Sequence, residues 1–214
     1  MPPPALTVAR DLRSIVTAGV LAFDDVRVAE REPRLDPALA GMETAVRLRP
    51  PADGTLVRAM YKRTGLDPTK HRPSSEALLR RVLRGDAFPR INNVVDVCNW
   101  CSLEFQLPYG LYDLDCVDGD VELRLGRPGE SYAGIRKDTV NVAGRMTLAD
   151  SAGPFGNPSS DSARTMVTIG ARRVLMVVFA PADVPRPRLE HVVEVSSARV
   201  CEFCGARELW RGIV

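Results

Sequence analysis

The amino-acid sequence predicts an α+β fold in which a central mixed or antiparallel sheet is flanked by helices. Two segments between residues 73 and 107 repeat apolar side chains at helical spacing, whereas the chain after residue 118 alternates apolar and polar residues with a period of two. Hydrophobic residues make up 45% of the chain and charged residues 26%, which is typical of a globular protein. A chain of 214 residues is long enough to bury a sizeable hydrophobic core.

The N-terminal part is predicted to contain one strand and two helices. The apolar stretch Val16–Phe23 indicates a strand and the start of a turn. Prolines delimit two helical segments, which we place at roughly Pro37–Leu48 and Ala52–Tyr61. The stretch Gly65–Pro68 has the composition of a turn.

Two better-marked amphipathic helices follow. The first begins at Pro73 and Ser74 and ends at Gly85. Its apolar face is formed by Leu78, Leu79, Val82 and Leu83. The second begins at Asn92 and ends before Pro108. Its apolar positions recur at helical spacing and are Val94, Cys98, Cys101 and Phe105.

Strands dominate the remainder of the prediction. Asp118 and Gly119 form a hairpin-type turn that leads into the alternating strand Asp120–Leu125. The later predicted elements are strands at Arg145–Ala149, Met166–Ile169 and Val174–Phe179, a loop at Gly153–Ser162, a helix from Pro187 to Gly205 and a strand at Glu208–Val214.

The sequence favours a cytoplasmic protein. The longest apolar run, Val174–Ala180, is far too short to span a bilayer. Asp11 and Arg13 interrupt the N-terminal segment, which lacks the continuous apolar core of a signal peptide. The five cysteines follow no small-domain disulfide pattern. We therefore expect reduced thiols and no membrane partner.

Two C-x-x-C pairs, Cys98/Cys101 and Cys201/Cys204, have a spacing that zinc sites use. Both pairs fall inside predicted helices and not in tight turns, and the first pair lies on an apolar stripe. We therefore expect these cysteines to line the core or a pocket, with no metal site. The sequence contains no glycine-rich phosphate loop followed by lysine, so neither ATP nor another cofactor is expected.

Basic residues are concentrated between Lys62 and Arg90, although the net charge of the chain is only +2. Two interpretations are open. The segment is either a solvated helix face or a surface that contacts nucleic-acid phosphates. For the second interpretation, the candidate RNA-binding residues are Lys62, Arg63, Arg72, Arg80, Arg81 and Arg84.

A polar stripe, formed by Asn92, Asp96 and Asn99, runs along the helix that begins at Asn92. One interpretation is helix capping by Asn92 and ordinary surface polarity for the other two. The other interpretation is a pocket wall that binds a small polar ligand through amide and carboxylate hydrogen bonds.

Residues 90–99 have the sequence R-I-N-N-V-V-D-V-C-N. This segment resembles the R-I-N-N-V-V-D-V-T-N signature of the editing domain in bacterial phenylalanyl-tRNA synthetase beta subunits. Further segments resemble later motifs of that domain in the same order, and the most similar are Leu107–Asp115, Ala149–Asp150 and Ala152–Asn157. The resemblance covers about Phe88–Pro181. The stretch Tyr61–Leu78 resembles free-standing relatives of the domain, which lack the catalytic module of the synthetase.

The resemblance implies an editing-domain-like α+β fold and a pocket between the Asn92–Phe105 helix and the Ala152–Asp161 loop. In the family, the domain hydrolyses the ester of tyrosine wrongly attached to the phenylalanine tRNA. The polar stripe and the resemblance together assign these residues to the pocket: Asn92, Asp96, Cys98, Asn99, Gly110, Gly153, Gly156 and Asn157. It assigns no catalytic residue.

Several pocket positions differ from the family pattern. Asn99 retains the pocket asparagine of the family, whereas Cys98 replaces a threonine and Gly110 replaces a histidine. Asn157 replaces the second of two glycines, and Met176 aligns with a glutamate that recognises the tyrosine hydroxyl. Because glycine is small, we expect Gly110 to enlarge the pocket and to change the amino acid that it accepts.

The leading functional hypothesis is recognition of tRNA or aminoacyl-tRNA, with hydrolytic editing of mischarged esters in trans as its most specific form. We do not expect the chain to aminoacylate tRNA. The alternatives are a non-catalytic RNA-binding or regulatory module, and a binder of an amino acid or nucleoside. We expect residues 1–214 to form one unit, with residues 1–87 packed on the region 88–181 and residues 182–214 adding a closing helix and strand.

Overall fold

The computed structural model describes residues 3–51 and 54–214 and confirms the α+β class. In chain order, the strands are β1 (Leu6–Val8), β2 (Val16–Asp24), β3 (Tyr109–Asp113), β4 (Val121–Leu125), β5 (Ser131–Gly134), β6 (Lys137–Asn141), β7 (Met146–Asp150), β8 (Gly153–Asn157), β9 (Ser160–Asp161), β10 (Val174–Pro181) and β11 (Arg207–Ile213). The α-helices are α1 (Leu35–Leu48), α2 (Thr55–Arg63), α3 (Ser74–Leu83), α4 (Asn93–Phe105) and α5 (Arg186–Cys204), and a short 3₁₀ helix spans Leu114–Cys116.

The strands form two main sheets and a separate β5–β6 hairpin. The four-stranded sheet has the order β11-β2-β10-β3 and is antiparallel throughout. The five-stranded sheet has the order β1-β4-β7-β8-β9 and is mixed, because β1 pairs with β4 in parallel whereas its other strands pair in antiparallel fashion. Every residue of β10 is buried, which fits an apolar strand covered on both faces.

Helices α4 and α5 cover one face of the four-stranded sheet. A Cβ atom placed on Gly19 of β2 would come within 2.6 Å of Val193, so the absence of a side chain lets α5 approach the sheet closely. The Tyr109 hydroxyl of β3 and Ser196 Oγ of α5 are 2.9 Å apart and hydrogen-bonded.

On its other face, β3 meets the five-stranded sheet. The rings of Tyr112 in β3 and Phe155 in β8 pack edge to face, with centroids 5.0 Å apart. Both side chains are fully buried. These two rings therefore link the sheets through a shared hydrophobic core.

The segment before residue 88 contributes to both sheets. It supplies β1 to the edge of the five-stranded sheet and β2 to the interior of the four-stranded sheet. The C-terminal strand β11 pairs with β2, with a register shift between Glu208 and Trp210. The N-terminal and C-terminal segments therefore share a sheet.

Three sequence predictions require correction. Met166–Ile169 is irregular chain and not a strand, since only Val167 is buried and the segment pairs with no neighbouring strand of the described chain. Gly153–Ser162 is not a loop, because long-range pairing with β7 makes it the strand pair β8–β9. The helix predicted from Ala52 begins at Thr55, and Ala52 itself lies outside the described residues.

Three predicted helix boundaries agree closely with the structure. Asn92 caps α4 by accepting a 2.9 Å hydrogen bond from the Val95 amide at Oδ1. Helix α4 ends at Phe105, after which Gln106 adopts a left-handed conformation and Pro108 prevents continuation. Helix α5 ends at Cys204 and is followed by Gly205, which is also left-handed, with a φ of 60°.

Candidate functional site

A cavity of about 430 Å³ lies between α4 and the β8–β9 turn, with β3 contributing to its wall. This volume falls within the range of small-ligand sites, roughly 300–1,000 Å³. Its described lining residues are Ser74, Ile91, Asn92, Val95, Cys98, Asn99, Ser102, Tyr109, Leu111, Ile135, Arg136, Asn157, Pro158, Ser159, Ser160, Asp161, Met166 and Val167. Apolar atoms make up most of the surface of the wall, although many of these residues carry polar side chains.

Helix α4 forms one wall of the cavity. Val95, Asn99 and Ser102 are spaced by four and three residues, so they lie along one stripe of the helix, next to Cys98. Cys98 is buried, whereas Asn99 is only partly buried. Asn99 therefore offers an amide donor and acceptor to the cavity.

Asp96 does not belong to this wall, which corrects its assignment to the pocket. Its carboxylate accepts a 2.7 Å hydrogen bond from Arg90 Nε at Oδ2 and a 2.8 Å bond from the Ile91 amide at Oδ1. Arg90 also donates to Asp36 of α1 at 2.7 Å. Because Asp96 is turned away from the stripe of Val95 and Asn99, it joins α4 to α1 through Arg90.

The β8–β9 turn forms the opposite wall. Asn157 is buried, and its Oδ1 accepts hydrogen bonds from the amides of Ser159 and Ser160 at 2.8 and 3.0 Å. Its Nδ2 donates to the Tyr132 hydroxyl at 2.9 Å. Asn157 therefore fixes the conformation of the turn that faces α4, and its own polar groups are engaged in doing so.

Gly110 does not enlarge the cavity, which corrects the prediction made from its small size. A Cβ atom at position 110 would lie 2.1 Å from the Tyr112 hydroxyl, and one at Gly156 would lie 2.3 Å from the same oxygen. The Tyr112 phenol thus fills the space beside both glycines, which lie behind the cavity wall. Gly153 is also outside the cavity: it starts β8 with a φ of 113°.

Two charged side chains of the cavity were not among the predicted site residues. Asp161 is the carboxylate among the described lining residues, and Arg136 is the basic residue. Arg136 is exposed, occupies the β5–β6 turn with a φ of 55°, and forms no ion pair within the described part of the chain. The polar cluster Asn157–Asp161 was visible in the sequence, but its assignment to a loop hid its role as a cavity wall.

Burial controls the titration of the cavity's weakly acidic groups. It raises the pKa of the Cys98 thiol well above its usual value, and the neighbouring Cys101 and Asp161 add to the shift. Burial likewise raises the pKa of Tyr109 well above its usual range. Both groups are therefore neutral at physiological pH, which makes Cys98 a poor nucleophile.

The predicted RNA-binding residues lie on or near α2 and α3 and are exposed. Several of them are engaged by protein groups. Glu76 pairs with Arg80 at 2.9 Å and lies 3.7 Å from Arg72. The hydrogen bond from Arg58 lowers the pKa of Glu76, and the charges of Arg80 and Arg72 add to this shift. Arg84 pairs with Asp86 at 2.9 Å.

Two other members of this set bond to backbone carbonyls. Arg81 donates to the carbonyl of Ala87 at 2.6 Å, and Arg63 donates to that of Ser14 at 3.0 Å. Lys62 is exposed. The surface keeps an excess of positive charge, because the arginines around Glu76 outnumber it.

The cysteine pairs lie within helices, as the sequence predicts. Cys98 and Cys101 are buried in α4, and Cys204 is buried at the end of α5. Across residues 3–51 and 54–214, no three His, Cys, Asp or Glu side chains gather as a metal-binding group. Over the same residues, no helix has both the length and the apolar character needed to cross a membrane.

Comparisons with known proteins agree with this architecture. The B3/4 domain family matches residues 56–194. The phenylalanine–tRNA ligase beta subunit of Anaeromyxobacter dehalogenans is 32% identical over 143 residues, which are 62% of this chain and 17% of that subunit. The beta subunit of Latilactobacillus sakei is 26% identical over 182 residues, covering 79% of this chain and 21% of that subunit. The chain thus spans about a fifth or less of the length of these relatives.

A solved structure shares the fold. The N-terminal fragment of the phenylalanyl-tRNA synthetase beta subunit from Pyrococcus horikoshii has a TM-score of 0.52 and 12% identity, covering 98% of this chain and 54% of that fragment. At this identity, the likeness concerns the fold alone. Since the family match extends over well more than half of the 214 residues, this chain belongs to the B3/4 domain family and resembles the corresponding part of phenylalanyl-tRNA synthetase beta subunits.

Proposed function

We propose that the chain recognises the aminoacyl end of tRNA and hydrolyses mischarged aminoacyl esters in trans. The observation that carries the proposal is the cavity between α4 and β8–β9, a largely apolar pocket that is lined by both Asn99 of α4 and Asp161 of β9. The apolar wall suits an amino acid side chain, whereas the two polar residues suit an ester group. The beta-subunit relatives support a substrate drawn from tRNA aminoacylation.

The chemistry needs only a positioned water and oriented hydrogen-bond partners, because an aminoacyl ester is an activated acyl group. The water oxygen bonds to the ester carbonyl carbon, and Asp161 accepts a proton from that water. Asn99 donates its amide N–H to the carbonyl oxygen, on which negative charge develops. The bond between the carbonyl carbon and the ribose oxygen then breaks, and the proton passes to the ribose oxygen. The products are a free amino acid and uncharged tRNA.

The basic surface supplies the tRNA contact in this proposal. Ser74, the first residue of α3, lines the cavity, so this helix connects the cavity to the arginines near its C-terminal end. Arg136 at the cavity adds a cation that suits a phosphate of the terminal nucleotide. We therefore infer that the tRNA end enters past Arg136 while its backbone follows α3. We place this function in the cytoplasm, where the tRNA pool is charged.

Residues 1–214 act as a single unit in this proposal. The support is the sheet topology, in which β1 and β2 from the N-terminal segment pair with strands of the later region. Removing residues 1–87 would therefore expose β4 and β10 and abolish function through loss of structure.

The test is a deacylation screen of the purified protein against tRNAs charged with cognate and non-cognate amino acids. We expect selective loss of one class of ester, at a rate above that of spontaneous hydrolysis. Uniformly background rates across the screen would contradict the enzymatic proposal. Binding of uncharged tRNA without turnover would favour a non-catalytic RNA-binding module, and binding of a free amino acid or nucleoside alone would favour a small-molecule binder.

The RNA contact is tested separately by charge reversal at Arg81 in α3. Arg81→Glu should weaken tRNA binding and reduce the slope of log affinity against log salt by about one to two, since a phosphate contact is lost and a like charge is added. Arg186→Glu is the matched control, because Arg186 is an exposed arginine on α5. Equal effects of the two variants would remove α3 from the interface.

A further inference from the structure

The Tyr112 side chain is enclosed behind the cavity. Its hydroxyl occupies the space that a Cβ atom would need at Gly110 of β3 and at Gly156 of β8. Its ring packs edge to face against Phe155, with an interplanar angle of 88°. The phenol is therefore fixed by both sheets, and the hydroxyl fits only because positions 110 and 156 lack side chains.

The tip of this phenol adjoins the cavity. Gly110 lies between Tyr109 and Leu111, which both line the cavity, and Gly156 precedes Asn157, which lines it from the other side. The two glycines and the hydroxyl between them therefore lie directly behind the wall where β3 meets β8.

The shift in the pKa of the Tyr112 hydroxyl agrees with a position directly behind the cavity wall. Burial raises its pKa well above the usual value, and the carboxylate of Asp161 and the thiol of Cys98 contribute to the shift. Both of these neighbours are lining residues. The phenol tip is thus near groups on two different walls of the cavity.

We propose that Tyr112 sets the depth of the cavity and thereby the size of the amino acid side chain that it accepts. The inference rests on the proposed function. In this proposal the phenol closes the wall between Gly110 and Gly156, so an amino acid side chain that reaches this point is limited in length. A shorter side chain at position 112 joins the space between the two glycines to the cavity.

The experiment measures binding of non-hydrolysable 3′-aminoacylamino-adenosines that carry alanine, leucine or phenylalanine. Tyr112→Leu is expected to raise the affinity for the phenylalanine analogue relative to the alanine analogue about tenfold. Phe23→Leu is the matched control, because Phe23 is a fully buried ring in β2 of the same sheet, two strands away from β3. This control should leave the ratio of affinities unchanged.

The milder variant Tyr112→Phe keeps the ring and removes only the hydroxyl, so it tests the inference if Tyr112→Leu does not fold. It should raise the same ratio by a smaller factor. A folded variant that leaves the ratio unchanged, or a control that raises it equally, would overturn the inference. A changed ratio without any deacylation would contradict the proposed hydrolysis but support the inference, whereas failure of the parent protein to bind any analogue would overturn both.

Discussion

The two faces of strand β3 have different roles, although the residues that form them alternate within the four positions 109–112. Tyr109 and Leu111 line the cavity, whereas Gly110 and Tyr112 face the packed interior between the two sheets. The family resemblance over Leu107–Asp115 does not distinguish between these four residues. Since successive side chains of a strand point to opposite faces, the motif divides into a ligand-facing half and a packing half. Mutations in the packing half should therefore lower stability, and at Tyr112 they should also change the cavity from behind its wall, whereas mutations in the ligand-facing half should change direct contacts with the ligand.

The largest expected effect comes from the packing half. Gly110→Ala should reduce the free energy of unfolding by about 3 kcal/mol, because its Cβ would lie 2.1 Å from the buried Tyr112 hydroxyl. Urea denaturation measures this loss. Gly41→Ala in α1 is the control, since its Cβ meets nothing within 4 Å, and it should be neutral or stabilising.

A double-mutant cycle sharpens this prediction. The combined loss in Gly110→Ala with Tyr112→Leu should be smaller than the sum of the two single losses, because the shorter side chain removes the collision. Additive losses would show that Tyr112 is not what excludes a side chain at position 110.

Helix α4 offers the same comparison between Asp96 and Asn99. Asp96→Asn should lower the free energy of unfolding by about 2 kcal/mol, because it removes the buried carboxylate that pairs with Arg90 and leaves this arginine only Asp36 as an ionic partner. Asp86→Asn breaks an exposed pair with Arg84 and should cost less than about 1 kcal/mol. Similar losses in thermal unfolding for both variants would refute a structural role for Asp96.

The sequence predicts several of the elements that position the cavity. The Asn92 cap and the run of buried residues in β10 follow from local chemistry and apolar patterning, and both agree with the structure. The sequence does not show that Asp96 points away from the cavity. Its carboxylate is held by Arg90, which also bonds to Asp36 of α1, and this contact between distant segments is visible only in the structure.

The strand β8 was missed for a related reason. Its composition of glycine, proline and asparagine is typical of a loop, and only pairing with β7 and packing against Tyr112 make it a strand. The alternation of faces along β3 places Tyr109 and Gly110 on opposite sides of the strand. With only five residues after a proline, β3 is too short for this alternation to be recognised in the sequence. Non-local contacts decided both cases.

A smaller effect is expected in the alkylation rates of two cysteines, one in the cavity wall and one on the exterior. Burial raises the pKa of Cys98, so at pH 8 its thiol should stay protonated and react slowly with iodoacetamide. Partial burial and the carboxylates of Asp113 and Asp115 also raise the pKa of Cys116, but this thiol is exposed and should be alkylated before Cys98 in the folded protein. Peptide mass spectrometry after a short pulse measures the order of modification. Equal rates at the two cysteines would mean that the cavity wall at Cys98 is open to reagent.

The role of the cavity as the active site is tested most directly by the effect of Asn99→Ala on deacylation of the ester that the parent protein turns over fastest. Asn141→Ala is the matched control, because Asn141 is exposed at the end of β6 and outside the cavity lining. We expect Asn99→Ala to lower kcat/KM at least tenfold, equivalent to about 1.4 kcal/mol of transition-state stabilisation, and the control to stay within about twofold of the parent protein. Equal turnover by the parent protein and Asn99→Ala would contradict the assignment of this cavity as the active site.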